Sequence, residues 1–109
     1  MTDNQLLTQP IIILGAPRSG TTILTQLLGQ HPHLATLIEP RLTWRYGNDS
    51  KSDMLSPDDA RPQVIAHIRN DFASRVRQAG RTRLLEKTPS NSLRPAFVHR
   101  VFPDEIGRA

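Results

Sequence analysis

Residues 10–28 read PIIILGAPRSGTTILTQLL, and this stretch guides the interpretation of the rest of the chain. Its continuous apolar run, 11–14, is typical of a strand buried on both faces of a sheet. Gly15 and Gly20 bracket the turn that follows. Beyond the turn, apolar residues recur at the spacing of one helix face: Ile23, Leu24, Leu27 and Leu28. Such a strand–turn–helix unit directs backbone N–H groups and the positive end of a helix dipole at one place, which favours binding of an anion such as phosphate.

The turn itself differs from the nucleoside-triphosphate loop at one position. The spacing Gly15-x-x-x-x-Gly20 matches the pattern G-x-x-x-x-G-K-[ST], but Thr21 stands where that pattern has lysine. The cation lies inside the turn instead, at Arg18, and a guanidinium can bind two oxygens of a phosphate or sulfate at once. The alternative is that the glycines serve turn geometry alone. We favour a phosphate-type ligand.

GAPRSGTT after an apolar strand resembles the 5′-phosphosulfate-binding loop of the sulfotransferases. These enzymes transfer a sulfuryl group from 3′-phosphoadenosine 5′-phosphosulfate (PAPS) to a hydroxyl or an amine. The family pattern P-[KR]-[SGA]-G-[TS]-[TS] fits this chain at every position. The resemblance implies that Arg18 binds the sulfonate and the 5′-phosphate, while 19–22 hold the phosphate through backbone N–H groups and hydroxyls. The residues implied to bind PAPS are therefore Pro17, Arg18, Ser19, Gly20, Thr21 and Thr22.

A glutamate follows the helix that this turn begins. We predict that the helix runs from about Thr21 to Gln30 and ends at His31-Pro32, because proline disfavours the helical conformation of the residue before it. The pattern His31-Pro32-(x)6-Glu39 resembles an arrangement found in many sulfotransferases, in which the glutamate takes the proton of the acceptor. The alternative is that Glu39 is an ordinary salt-bridge partner of a nearby arginine.

A second strand–turn unit lies near the end of the chain. Residues 83–86 read as a core strand and 87–91 as the turn after it, so the repeat implies a parallel sheet whose turns open on one edge. Glu86-Lys87-Thr88-Pro89 resembles the E-K-[ST]-P segment of the sulfotransferases. The resemblance implies that Lys87 neutralises charge on the bridging oxygen of the leaving phosphate, near Arg18. The alternative is an exposed loop lysine.

The sequence indicates the residues that contact the acceptor less clearly. The polar segment 46–59 reads as a loop, and loops here shape the acceptor pocket in the family that the chain resembles. We therefore expect acceptor contacts, with a small molecule or a glycan, from Trp44, Tyr46 and Asn91. The alternative is an ordinary surface loop. The identity of the acceptor stays open.

Further elements follow from apolar spacing. The run 34–38 is expected to form a second strand or extended segment beside the first. Ser56 is expected to cap a helix that runs to about Ala79 and stops at Gly80, with arginines on its solvated face. Its buried stripe is Val64, Ile65, Ile68, Phe72 and Val76. A last helix, capped by Asn91 or Ser92, is expected to bury Leu93, Phe97, Val98 and Val101.

Composition narrows the class of protein. The chain has 109 residues, a net charge of +4, no cysteine, and one tryptophan and one tyrosine. The cations are scattered and aromatic residues are few, which disfavours nucleic-acid binding. No pair of histidines has metal-ligand spacing, and the proposed chemistry needs no metal. We expect a cytoplasmic protein with no leader and no membrane span.

These observations predict an α/β fold, a P-loop NTPase-like three-layer arrangement with a partial parallel sheet. We expect a disordered lead-in over 1–9, a sulfotransferase-like N-terminal part over 10–104, and a tail over 105–109 that departs from the family pattern. The family continues beyond this point with an Arg…Ser pair that binds the 3′-phosphate. We therefore expect an incomplete sulfotransferase with little activity alone. The alternatives are a non-catalytic fragment or anion-binding module, and a P-loop nucleotide kinase or ATPase.

Overall fold

The computed structural model describes residues 3–14, 26–38 and 40–105. Residues 26–29 are helical, and short 3-10 helices span Pro57–Asp59 and Pro89–Leu93. The labelled elements, in chain order, are α1 (Asp3–Leu6), β1 (Ile11–Ile13), β2 (Leu34–Ile38), α2 (Arg41–Trp44), α3 (Pro62–Gln78), β3 (Arg83–Lys87) and α4 (Pro95–Val101).

The three strands form one parallel sheet in the order β1-β3-β2. This confirms the predicted α/β class and the predicted parallel sheet, in which β1 pairs with β3. The expectation that 34–38 lies beside the first strand is wrong, because β2 pairs with β3 and not with β1. The central place belongs to β3, whose Leu84 and Leu85 point to opposite faces and are both fully buried, as a strand covered on two sides requires.

Apolar side chains pack on both faces of the sheet, so the sheet is the middle one of three layers. On one face Leu84 and Ile12 join the main core, which α3 and α4 complete through residues such as Phe72 and Phe97. On the other face Ile13, Leu34 and Leu85 form a smaller cluster. Leu28, from the helical residues 26–29, packs against that cluster.

Three further expectations need correction. The lead-in is not disordered over 3–9, since α1 forms there and Leu6 and Leu7 are buried in the main core. The helix predicted from Ser56 is interrupted. A capping box at Ser56 begins the 3-10 helix 57–59, but Arg61 is extended (φ −68°, ψ 156°) ahead of Pro62, where α3 begins.

The last helix is interrupted in the same way. Arg94 precedes Pro95 and has non-helical angles, so α4 begins only at Pro95. Leu93 lies in the separate 3-10 helix and is 52% exposed, so it does not belong to the buried face. Phe97, Val98 and Val101 are buried as predicted.

Candidate functional site

The carboxyl ends of the three strands lie level with one another. In the pairing register, Lys87 of β3 is the partner of Ile13 on one side and of Ile38 on the other. Neighbouring strands are about 4.8 Å apart, so this row of three residues spans about 10 Å. The chain leaves β1 here toward the glycine-bounded turn 15–20, and it leaves β2 directly toward Glu39. The register therefore brings to one edge of the sheet the ends of the three strands from which the segments predicted to carry chemistry continue.

Several predicted site residues lie outside the described residues. These are Glu39 and the predicted PAPS-binding residues Pro17, Arg18, Ser19, Gly20, Thr21 and Thr22. Their roles remain predictions.

Lys87 is the predicted catalytic residue that the structure describes. It is the last residue of β3 and is half-buried. Side chains alternate along a strand, so Lys87 shares the face of Leu85, against whose cluster Leu28 packs. The helical residues 26–29 contribute Leu28 to this face of the sheet.

Glu86 points to the opposite face and is fully buried. Three side chains donate hydrogen bonds to its carboxylate. Trp44 Nε1 lies 2.6 Å and Thr88 Oγ1 2.5 Å from Oε2, and Asn91 Nδ2 lies 3.1 Å from Oε1. Burial raises the pKa of the Glu86 carboxyl to about 7, although the hydrogen bonds from Thr88 and Trp44 act in the opposite direction.

A buried arginine extends this polar cluster toward the surface. Arg94 is 1% exposed, and its Nε donates to Asn91 Oδ1 at 2.8 Å. Its Nη1 lies 3.5 Å from Asp53 Oδ1, which also accepts a hydrogen bond from Arg45 Nη1 at 2.6 Å. Burial lowers the pKa of Arg94, and the nearby carboxylates Asp53 and Glu86 oppose that effect. Every buried charge in this cluster therefore has a partner of opposite sign or a neutral hydrogen-bond partner.

The structure places two of the three predicted acceptor residues in the core. Trp44 is fully buried and packs edge-on against Phe72, with ring centroids 5.2 Å apart. Asn91 is also fully buried, between Glu86 and Arg94. Tyr46 is exposed and stacks on His67, with ring centroids 3.7 Å apart. Of these three side chains, Tyr46 alone offers surface to another molecule in this conformation.

Arg45 makes several hydrogen bonds to the segment that follows α2. Arg45 Nη2 donates to the backbone oxygens of Asp49, at 3.1 Å, and of Lys51. Together with the ion pair to Asp53, these bonds fix the segment 45–53, most of which belongs to the loop predicted over 46–59. Lys51 pairs with Asp59 at 2.6 Å, and this hydrogen bond lowers the pKa of Asp59.

Glu86 and Arg94 were not singled out individually from the sequence. The available signal was the alternation in Arg83–Lys87, where Glu86 falls on the same face as Leu84. A carboxylate on the core face of a strand requires hydrogen-bond donors. The sequence does not show that those donors come from positions as distant as Trp44.

A pocket of about 560 Å³ lies at the opposite, amino edge of the sheet. Ile11, Leu34 and Arg83, which begin the strands, contribute to its mostly apolar lining, as do His31 and His33. None of the predicted site residues that the structure describes lines this pocket. Among the described residues, no group of three or more metal-ligating side chains comes together.

Comparison with known proteins identifies the family. A model described as "Sulfotransferase family" matches residues 10–106. The chain therefore belongs to the sulfotransferase family, as the loop motif predicted.

One relative is Nodulation protein NoeE of Sinorhizobium fredii (strain NBRC 101917 / NGR234), which is 30% identical over an alignment of 110 residues. The alignment covers 84% of this chain and 26% of the relative, so the chain spans about a quarter of that protein's length. No solved structure matches the chain. Within the described part of the chain, no helix has the length and apolar character needed to cross a membrane.

Proposed function

We propose that this chain carries the donor-binding part of a sulfotransferase, which moves a sulfuryl group from PAPS to a hydroxyl or amine acceptor. The observation that supports the proposal is the register of the sheet, in which Ile13, Lys87 and Ile38 form one row at the carboxyl edge. In open parallel sheets, ligands bind beyond the carboxyl ends of the strands. Family membership supports the same reaction class.

The residues at this edge suit an anionic donor. PAPS supplies an activated sulfuryl group whose sulfur–oxygen bond breaks as the acceptor attacks the sulfur. Lys87 would donate to the bridging oxygen, which leaves with the electron pair, and Arg18 would bind oxygens of the sulfonate and the 5′-phosphate. Glu39 would accept the proton that the acceptor loses. In this scheme the two side-chain cations offset the charge of the transferring group, so the chain needs no metal.

The acceptor side of the proposal rests on the segment 45–59. Tyr46 is exposed and would contact the acceptor directly. Trp44 and Asn91 are buried around Glu86, so they would act on the acceptor site by holding the surrounding segments rather than by touching the acceptor. A small molecule or a glycan remains the proposed acceptor.

The proposal is tested by calorimetric titration of the chain with 3′-phosphoadenosine 5′-phosphate, and separately with ATP·Mg²⁺. We expect binding of the first ligand in preference to the second. The chain contains two lysines, which provides a matched control. Lys87→Ala is expected to weaken binding about tenfold or more, because it removes a charge-assisted contact. Lys51→Ala, which removes an exposed ion pair to Asp59, is expected to leave binding unchanged.

Two results would contradict the proposal, and a third would contradict the role given to Lys87. Preference for ATP·Mg²⁺ would assign the loop to a nucleotide kinase or ATPase. Binding of neither ligand by a chain whose circular dichroism shows it to be folded would indicate a non-catalytic fragment. Equal effects of the two lysine substitutions would remove Lys87 from the proposed site.

A further inference from the structure

One buried polar cluster connects two parts of the molecule that are distant in sequence. It runs from Glu86 through Asn91 and Arg94 to Asp53, with hydrogen-bond or ion-pair distances of 3.1, 2.8 and 3.5 Å. One end lies beside Lys87, at the carboxyl edge of the sheet. The other end lies in the segment 45–53, where Asp53 is 43% exposed.

We propose that Glu86 is a positioning residue that joins the segment 45–53 to the carboxyl end of β3 through Asn91, Arg94 and Asp53. Its relevance to turnover rests on the proposed sulfotransferase function, but the linkage itself does not. Glu86 does not face the same side of the sheet as Lys87, so it is not assigned a catalytic role. It holds Thr88 and Asn91, which follow Lys87 in the chain, and it holds Trp44 at the end of α2.

The hydrogen bonds show how the cluster responds to a proton. Trp44 Nε1 and Asn91 Nδ2 can only donate, so both require lone pairs on the Glu86 carboxyl. The Thr88 hydroxyl can donate or accept. A proton on Oε2 therefore needs an acceptor, and only the Thr88 hydroxyl can provide one by turning from donor to acceptor. This change breaks no bond between Glu86 and Trp44 or Asn91.

Protonation does remove the negative charge that faces Arg94. Among the described residues, the charged groups of this cluster are Arg94, from the turn ahead of α4, and beyond it Asp53 and Arg45 from the segment after α2. The groups that bond Glu86 directly, namely Trp44, Thr88 and Asn91, are uncharged. Neutral Glu86 leaves Arg94 with Asp53 as its one acidic partner in the cluster, so the proton on Glu86 and the charge on Asp53 must affect one another.

Trp44 provides a direct readout, because it is the single tryptophan of the chain and its indole N–H bonds to Glu86. We would measure the fluorescence of the full chain from pH 5 to pH 9. We expect a transition with a midpoint near pH 7 in the wild type and its loss in Glu86→Gln. A transition that persists unchanged in Glu86→Gln would assign it to another group and overturn the proposal.

The linkage to the segment 45–53 is tested at Asp53, which is half exposed and can be changed without opening the core. Asp53→Asn removes the negative charge that offsets Arg94, so the midpoint is expected to fall by roughly 0.5 pH unit. Asp58→Asn, an exposed acid outside the cluster, is the matched control and should leave the midpoint unchanged. The same midpoint in both variants would overturn the proposal, even if Glu86→Gln cannot be folded. Because no ligand is present, failure of this test is distinct from failure to bind 3′-phosphoadenosine 5′-phosphate.

Discussion

Glu86 has no exposed surface, and burial raises the pKa of its carboxyl to about 7. In the unfolded chain this group titrates near its ordinary pKa of 4.5. Between these two values the folded chain binds the proton more tightly than the unfolded chain does. The contribution of Glu86 to stability is therefore fully present below pH 4.5 and is lost as the pH rises through 7.

We predict that the free energy of unfolding of the wild type contains a component that falls by about 3 kcal/mol between pH 4.5 and pH 7.5, because of Glu86. Glu86→Gln, which cannot ionise, should lack this component. Urea unfolding at four pH values across this window, followed by circular dichroism, measures it. Asp58→Asn is the control and should keep the wild-type slope.

A slope in Glu86→Gln equal to that of the wild type would contradict this account of the carboxyl. Asp59 does not interfere with the test. The pKa of Asp59 is lowered, so its contribution is present above its ordinary value of 3.8 and is lost only at more acidic pH.

Lys87 and Trp44 illustrate how far the site can be predicted from the sequence. The sequence predicts a role for Lys87 because one of only two lysines falls on a motif that follows a predicted strand, and this role stays a prediction. Trp44 was assigned to the acceptor because it neighbours a polar loop, whereas the structure buries it against Phe72 and bonds it to Glu86. The spacing of apolar residues does not predict such contacts, because they join α2 to a strand more than 40 positions away.

Secondary-structure elements were predictable where apolar spacing was long and regular. The stripe of α3 is confirmed, since Val64, Ile68, Phe72 and Val76 are fully buried and Ile65 is partly buried. The bounds were less predictable where proline lies close to an expected cap. Pro62 and Pro95 each displace a helix start beyond the predicted cap, and a separate 3-10 helix forms ahead of each.

The stripe of α3 gives a prediction with an internal control. Ile68→Ala removes a side chain with no exposed surface and is expected to destabilise the chain by about 2–4 kcal/mol, since it leaves a cavity in the main core. Ile65→Ala, at the partly buried margin of the same helix, should cost roughly half of that or less. The midpoints of urea unfolding measure both effects. Equal losses would contradict the orientation of α3.

For the whole molecule, the class of fold was predictable and the order of the strands was not. Two strand–turn–helix patterns imply a parallel sheet, and the register of β1 with β3 agrees with that. The second neighbour of β3 depends on the path of the crossover between β2 and β3. The local sequence of the strands does not determine that path. The order β1-β3-β2 places Lys87 at the centre of the carboxyl edge, between the ends of the two other strands.

We propose that the donor binds at this carboxyl edge and not at the pocket on the amino edge. We would titrate the ¹⁵N-labelled chain with 3′-phosphoadenosine 5′-phosphate and follow the backbone amide shifts by NMR. We predict that the largest changes lie in the turn after Ile13 and at Lys87 and Thr88. Changes concentrated at Ile11, His33 and Arg83, which line the pocket on the amino edge, would contradict the claim.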